Sequence, residues 1–347
     1  MNNDEKYMSR CIQLAKLGEG NVAPNPMVGA VLVFENKIIG EGYHQKFGEA
    51  HAEVNCINSV DEKSKSLIGK STIYVSLEPC AHHGKTPPCA DLIIKNKIKR
   101  VVIGCKDIYK EVAGKGIEKL QNAGVEVVTG ILENECRNLN KRFFTFHQKQ
   151  RPYIILKWAQ SANGKIGSEK ERILISNDYT NRIIHKWRSE ESAILVGTNT
   201  ALMDDPSLTT RLWNGKNPVR IVIDTQLKLP LTLNVFNKAA NTLIFNFFKN
   251  ATENNLTYIK ADPANFIGKT LSALYELNIQ SVLIEGGAKT LQSFIDRGLW
   301  DEARIITNEE MVMENGISAP EPKDFVLIDE EKYFNDRIHY YRNGKVT

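Results

Sequence analysis

At 347 residues the chain is too long for one ordinary domain, and 42% apolar with 25% charged residues is the make-up of a folded globular protein. No apolar run approaches the ~20 residues that cross a bilayer, and the opening Met1-Asn2-Asn3-Asp4-Glu5-Lys6 lacks the basic-then-apolar order of a secretory signal, so no membrane partner is expected and the chain reads as cytoplasmic. The net charge of +4 is dispersed, Lys95-Asn96-Lys97-Ile98-Lys99-Arg100 being the one dense cluster, which argues against nucleic acid and leaves a small phosphorylated molecule as the expected partner.

The first half reads as alternating helices and strands. Residues 4–18 have helical spacing, with Met8, Cys11, Ile12, Ala15 and Leu17 on one face. Val28 to Phe34 and Ile38 to Gly42 flank the turn Glu35-Asn36-Lys37 as a hairpin. His51 opens a short helix, Thr72 to Leu77 is a strand, and Cys89 starts another helix. Val101 to Gly104, 115–123 and Val125 to Val128 follow as strand, helix and strand, so the order α-β-β-α-β-α-β-α-β predicts a three-layer α/β sandwich. Cys11, Cys56 and Cys105 fall in apolar segments as core thiols, whereas Cys136 has no assigned role. The polar stretch 136–152 is read as the boundary between domains 1–147 and 148–347.

His51-Ala52-Glu53, Pro79-Cys80 and Cys89 carry the chemistry. One His and two Cys hold Zn²⁺ with its fourth position open, the arrangement of a catalytic rather than a structural zinc. A Glu two residues after the His is the proton carrier of zinc deaminases, not a ligand. The expected metal ligands are therefore His51, Cys80 and Cys89, and the expected catalytic residue is Glu53. Each ligand lies at a helix start or just after a strand, where helix dipoles favour thiolate. The usual Cys-x-x-Cys spacing is lengthened here by Ala81-His82-His83-Gly84-Lys85-Thr86-Pro87-Pro88. The competing reading is a structural zinc closed by His82 or His83. A nucleic-acid deaminase is the remoter rival, without the basic aromatic groove it needs.

Pro24-Asn25-Pro26-Met27-Val28-Gly29-Ala30-Val31, Gly42-Tyr43-His44, His51-Ala52-Glu53 and the Glu78-Pro79-Cys80 to Cys89 run closely resemble the bifunctional riboflavin-biosynthesis deaminase/reductases, whose motif has this long loop. The resemblance implies a cytidine-deaminase-like sandwich followed by a dihydrofolate-reductase-like α/β domain. It implies one zinc per deaminase domain, and hydrolysis of the 2-amino group of 2,5-diamino-6-ribosylamino-4(3H)-pyrimidinone 5′-phosphate. Asn25, His44 and Lys85 are then candidate substrate contacts. Homo-oligomerisation is left open.

In the second half, Tyr153 to Ala159, Ala193 to Gly197, Val219 to Asp224, Thr242 to Phe247 and Ser281 to Ile284 read as strands. Asn177 to Glu190 and Ala288 to Arg297 read as helices, and Arg304 to Thr307 and Arg337 to Tyr341 as closing strands. Glu285-Gly286-Gly287 between strand and helix suits phosphate at a helix start, but two glycines are a weak signal. Ser161-Ala162-Asn163-Gly164-Lys165, Val196-Gly197-Thr198-Asn199-Thr200, Asp204-Asp205-Pro206-Ser207-Leu208-Thr209 with Arg211, and Glu285-Gly286-Gly287 resemble successive blocks of the family's reductase domain. This implies NADPH-dependent reduction of the ribosyl group to ribityl. The implied cofactor residues are Ala159, Leu174, Ser176, Thr200, Asp204, Gly287, Ala288, Lys289, Thr290, Leu291, Gln292 and Ser293. The implied substrate residues are Arg172, Arg188, Leu208, Arg211 and Glu285, with Arg188 and Arg211 as phosphate clamps. Asn163 departs from the family's usual Asp, so a deaminase whose second domain has lost or altered its reduction is the alternative.

Overall fold

The computed structural model describes residues 2–81, 87–108, 113–168 and 172–345. The chain divides into two compact units, Met1–Gln150 and Arg151–Thr347.

The first unit runs α1 (Asn3–Lys16), β1 (Gly29–Phe34), β2 (Lys37–Tyr43), α2 (Ala52–Asn58), β3 (Thr72–Leu77), α3 (Cys89–Lys95), β4 (Arg100–Cys105), α4 (Lys115–Asn122), β5 (Glu126–Thr129), α5 (Glu133–Leu139) and α6 (Lys141–Lys149). Its sheet has the order β2-β1-β3-β4-β5. The two-residue alternation of strands sorts side chains onto opposite faces. Ala30, Leu32, Ile73, Val75, Val101 and Ile103 pack against Ala52, Cys56, Ile93 and Leu120 of α2, α3 and α4. Val31, Val33, Tyr74 and Val102 pack against Tyr7, Met8, Cys11 and Leu14 of α1, together with Cys136, Phe143 and Phe144. The result is three layers, helix on both faces of a sheet. The stretch read as a polar boundary forms α5 and α6, because Cys136, Leu139, Phe143, Phe144 and Phe146 recur on one buried face between its charges.

The second unit runs β6 (Tyr153–Ser161), β7 (Lys165–Gly167), α7 (Asp178–Glu190), β8 (Ala193–Gly197), α8 (Thr198–Asp204), β9 (Val219–Ile223), β10 (Thr242–Asn246), β11 (Ala251–Glu253), β12 (Leu256–Lys260), α9 (Phe266–Glu276), β13 (Ser281–Ile284), α10 (Ala288–Asp296), β14 (Glu302–Asn308), β15 (Ile317–Ser318), β16 (Phe325–Tyr333) and β17 (Asp336–Asn343). Its sheet has ten strands in the order β11-β12-β10-β9-β8-β13-β6-β14-β17-β16. From β12 through β14 every neighbouring pair is parallel. One face buries Leu156, Leu195, Ile221, Phe245 and Ile284 under α9 and α10. The other buries Ile194, Val196, Val222 and Ile244 beside Ala201 of α8, and Ile155 and Leu283 beside Ile184 and Trp187 of α7. Parallel strands all end on one side, and that shared end is where open α/β sheets take ligands.

Candidate active sites

In the first unit, His51 is the N-cap of α2, with extended backbone (φ −72°, ψ 165°). Cys80 follows β3 through Glu78-Pro79, and Cys89 is the first residue of α3. The His51 Nδ1 atom lies 3.7 Å from Cys80 Sγ and 3.4 Å from Cys89 Sγ, and the three donor atoms all fall within 4.8 Å of one another. Bond lengths of zinc to sulfur and imidazole nitrogen give tetrahedral N–S edges of about 3.5 Å. The three residues therefore fit zinc, with the fourth direction left to a small ligand.

Glu53 sits one turn-step into α2 and is only 3% exposed. Burial, and then the neighbouring Cys80, push its carboxyl up to about 7, against the opposing pull of His51. The Cys80 thiol is drawn down to about 4, chiefly by its bond to Cys89 and then by His51. The Cys89 amide N–H also donates to Cys80 Sγ at 3.3 Å. His44 packs edge-on to His51, with ring centres 5.5 Å apart. Its Nδ1 lies 3.0 Å from the Ala50 carbonyl, which can only accept, so Nδ1 carries the proton. Its Nε2 then accepts from Asn25 Nδ2 at 3.1 Å. Asn25 and His44 thus form a pair beside the three donor residues, whereas Lys85, with His82 and His83, lies outside the described residues.

The sequence reading gave Glu78 no role. Its buried carboxylate accepts four backbone N–H groups: Asp107 and Gly114 at one oxygen, Gly116 and Ile117 at the other. It therefore ties the start of α4 to the strand end that delivers Cys80. The open N–H groups of a helix start, and an acid two residues before a cysteine, were the available signal.

In the second unit, a cavity of about 930 Å³ opens at the carboxyl ends of β6, β8, β9 and β13. Of the expected residues, Ala159, Leu174, Ser176, Thr200, Asp204, Gly287, Ala288, Lys289, Thr290, Arg172, Arg188, Leu208 and Glu285 line it. Leu291, Gln292 and Ser293 are not among the lining residues. The turn of α10 carries Leu291 into the core, Gln292 to Asp296 and the Glu321 N–H, and Ser293 back to the Thr290 carbonyl. Gly286 and Gly287 have φ of +125° and +71°, backbone that a side chain would strain, and they face the Thr200 hydroxyl group. The two glycines thus leave the backbone at the start of α10 open to the cavity.

Arg188 lines the cavity with its guanidinium paired to Glu285, Nε and Nη2 donating at 2.8 and 2.7 Å. Arg211 is not a lining residue; it is exposed, with Nη1 donating to Thr209 Oγ1. Lys157 was missed, although a lone charge inside Tyr153-Ile154-Ile155-Leu156-Lys157-Trp158 marks it. Its Nζ is 3.8 Å from Glu285 Oε2 on the cavity wall. Burial raises the Glu285 carboxyl, but Arg188 and Lys157 outweigh it and hold the group down at about 2. Asn163 accepts from Ser161 Oγ and the Met313 N–H and donates to the Met313 carbonyl, a turn-holding role.

Known proteins carry both halves. Residues 1–105 match the cytidine and deoxycytidylate deaminase zinc-binding region, and residues 152–309 match the RibD C-terminal domain. The riboflavin biosynthesis protein RibD of Aquifex aeolicus is 42% identical over 325 residues, covering 91% of this chain and 89% of that protein. The Escherichia coli protein of the same name is 34% identical, covering 86% of each. A diaminohydroxyphosphoribosylaminopyrimidine deaminase/5-amino-6-(5-phosphoribosylamino)uracil reductase from Thermotoga maritima superposes with a TM-score of 0.91 at 38% identity, over 98% of this chain and 99% of that one. Acinetobacter baumannii RibD superposes with a TM-score of 0.88 at 31% identity, over 98% of both chains. With a zinc-binding deaminase domain followed by a reductase domain along nearly its whole length, this chain belongs to the RibD family of bifunctional riboflavin-biosynthesis enzymes.

Proposed function

We propose that the first unit hydrolyses the 2-amino group of 2,5-diamino-6-ribosylamino-4(3H)-pyrimidinone 5′-phosphate and that the second reduces the ribosyl group of the product to ribityl with NADPH. The observation that carries the first step is the buried Glu53 beside three converging ligand atoms. His51, Cys80 and Cys89 would hold zinc, which when bound supplies an activated water near neutral pH. Glu53 has the burial and the placement to take a proton from that water and return it to the ring and the departing amine. The neutral His44, held between Ala50 and Asn25, keeps Asn25 oriented toward the pyrimidine.

For the second step, the cavity of the second unit would hold NADPH, which when bound supplies the hydride that reduction of the ribosyl group needs. The Gly286-Gly287 turn and Thr200, together on its wall, would take the cofactor's phosphates. Among the charged lining residues, Lys157, Arg172, Arg188 and Lys289 against Glu285 and Asp204 leave two positive charges in excess, the complement of a phosphate monoester dianion. The six free cysteines support a reducing, cytoplasmic setting, and no helix among the described residues is long and apolar enough to cross a membrane.

Mass spectrometry of the substrate incubated with purified protein tests both steps. Amine-to-oxo conversion is expected without NADPH, and a gain of two hydrogens only with it. Glu53→Gln is expected to lose deamination by at least about a hundredfold while metal analysis still finds one zinc per chain. Retained deamination in that variant would defeat the role given to Glu53.

A further inference from the structure

We infer that His185 is a positioning residue of the reductase cavity: its Nδ1 lone pair holds the backbone N–H of Arg211 and so sets the Arg211 guanidinium at the rim as an anchor for the substrate phosphate. The inference rests on the functional reading above and extends it to a residue that reading leaves unused.

The geometry begins on α7. This helix sends Asn181, Ile184 and Arg188 to the cavity wall, and His185, 5% exposed, lies one residue beyond Ile184 and three before Arg188. The Arg211 N–H reaches His185 Nδ1 at 2.9 Å. A backbone N–H can only donate, so Nδ1 is an unprotonated acceptor. Burial, and then the positive charges of Arg188 and Arg211, keep the ring from gaining a second proton and hold its pKa down at about 4, against the weaker pull of Glu285. At neutral pH the lone pair is therefore always presented to the loop.

The loop is pinned a second time two residues earlier. Arg188 Nη1 donates to the Thr209 carbonyl at 3.3 Å, while the rest of its fork is held by Glu285. Residues 209–211 thus hang from one helix at two points, through His185 and through Arg188. Arg211 contributes Nη1 to Thr209 Oγ1, and among the described residues it makes no ion pair with a carboxylate. It therefore has donors to spare for an anion. The acceptor at position 185 must be neutral for this to work. A carboxylate would also take the Arg211 N–H but would cancel the charge meant for phosphate, and an ammonium could not accept at all.

The test uses the full-length protein and equilibrium binding of ribose 5-phosphate, measured by titration calorimetry, beside steady-state reduction kinetics. His185→Phe keeps an aromatic ring without the acceptor. His185→Asn restores an acceptor oxygen near the Nδ1 position. The expected result is an about tenfold loss of ribose 5-phosphate affinity in His185→Phe, recovery in His185→Asn, and a KM for NADPH unchanged in both. Combining His185→Phe with Arg211→Gln is expected to add little to the loss from Arg211→Gln alone, since both act through one guanidinium. Wild-type affinity in a folded His185→Phe variant, or fully additive losses, would overturn the inference. Should His185→Phe not fold, His185→Leu, which also lacks the acceptor, decides the matter through the same double substitution. Wild-type protein that binds ribose 5-phosphate in this His185-dependent manner yet reduces nothing would overturn the reductase reading alone. Wild-type protein that neither binds nor reduces would overturn both.

Discussion

Two asparagines do similar work in the two units. Asn140 accepts from the Met27 N–H at 2.8 Å and donates to the Met27 carbonyl at 2.9 Å, holding the loop that carries Asn25. Asn163 makes the same double contact with Met313 and adds the Ser161 hydroxyl. A side-chain amide donates from its nitrogen and accepts at its oxygen, which accounts for Asn163 here. Asn163→Asp keeps two of the three bonds and is expected to cost about 1 kcal/mol. Asn163→Leu loses all three and is expected to cost about 3 kcal/mol or more, both read as shifts in the thermal transition of the second unit. Equal effects of the two substitutions would contradict the turn-holding role. His185 supplies the pH dependence at this scale. Its folded pKa, about 4, lies below the ordinary 6.5, so the unfolded chain takes up the proton first as pH falls. The stability it contributes is whole above pH 6.5 and is lost down to about pH 4. The difference in melting temperature between wild type and His185→Asn is therefore expected to fall across that window. A difference that is flat with pH would show that the ring titrates normally.

At the level of elements, the loop from β3 to α3 depends on α4. Glu78 satisfies N–H groups that α4 leaves open, and Gly116 packs so closely that a Cβ there would lie 1.9 Å from the Pro79 carbonyl oxygen. Gly116→Ala is expected to displace Pro79 and Cys80 and lower the zinc content per chain. Glu78→Ala strands four amides and is expected to cost about 2 to 4 kcal/mol. Metal analysis and thermal unfolding check the pair, and full zinc in Gly116→Ala would show that the Cys80 loop does not depend on this contact. The zinc donors were legible from His51-Ala52-Glu53, Cys80 and Cys89 because metal chemistry restricts residue type. Glu78 was not, since an acid serving distant amides looks like any other acid. The same limit hid α5 and α6, whose buried face is interrupted by six charged residues from Glu133 to Lys149. It also hid the turn of α10: Leu291, Gln292 and Ser293 follow Thr290 in the chain but point elsewhere, because successive helical residues step by about 100°.

Over the whole molecule, each unit has its own sheet and its own apolar cores. His51, Cys80 and Cys89 all belong to the first. Chelation of zinc is therefore expected to lower the melting transition of the first unit and leave NADPH-dependent reduction of supplied deaminated product unchanged. Equal loss of both would argue against separate sites. The residue chemistry of the zinc site, the alternation of helices and strands and the glycine turn before α10 were determined by the sequence itself, because each depends on residue type and local spacing. The free or occupied state of a charged side chain was decided only by tertiary structure. Arg188 reads as a lone helix arginine until Glu285, distant in sequence, pairs with it. Lys157 has no role in the sequence until it meets the same carboxylate. His185 reads as a helix residue until the loop bearing Arg211 folds back onto it. Pairing energies act through space, and the partners lie up to about a hundred or more residues apart along the chain, beyond the reach of any local pattern.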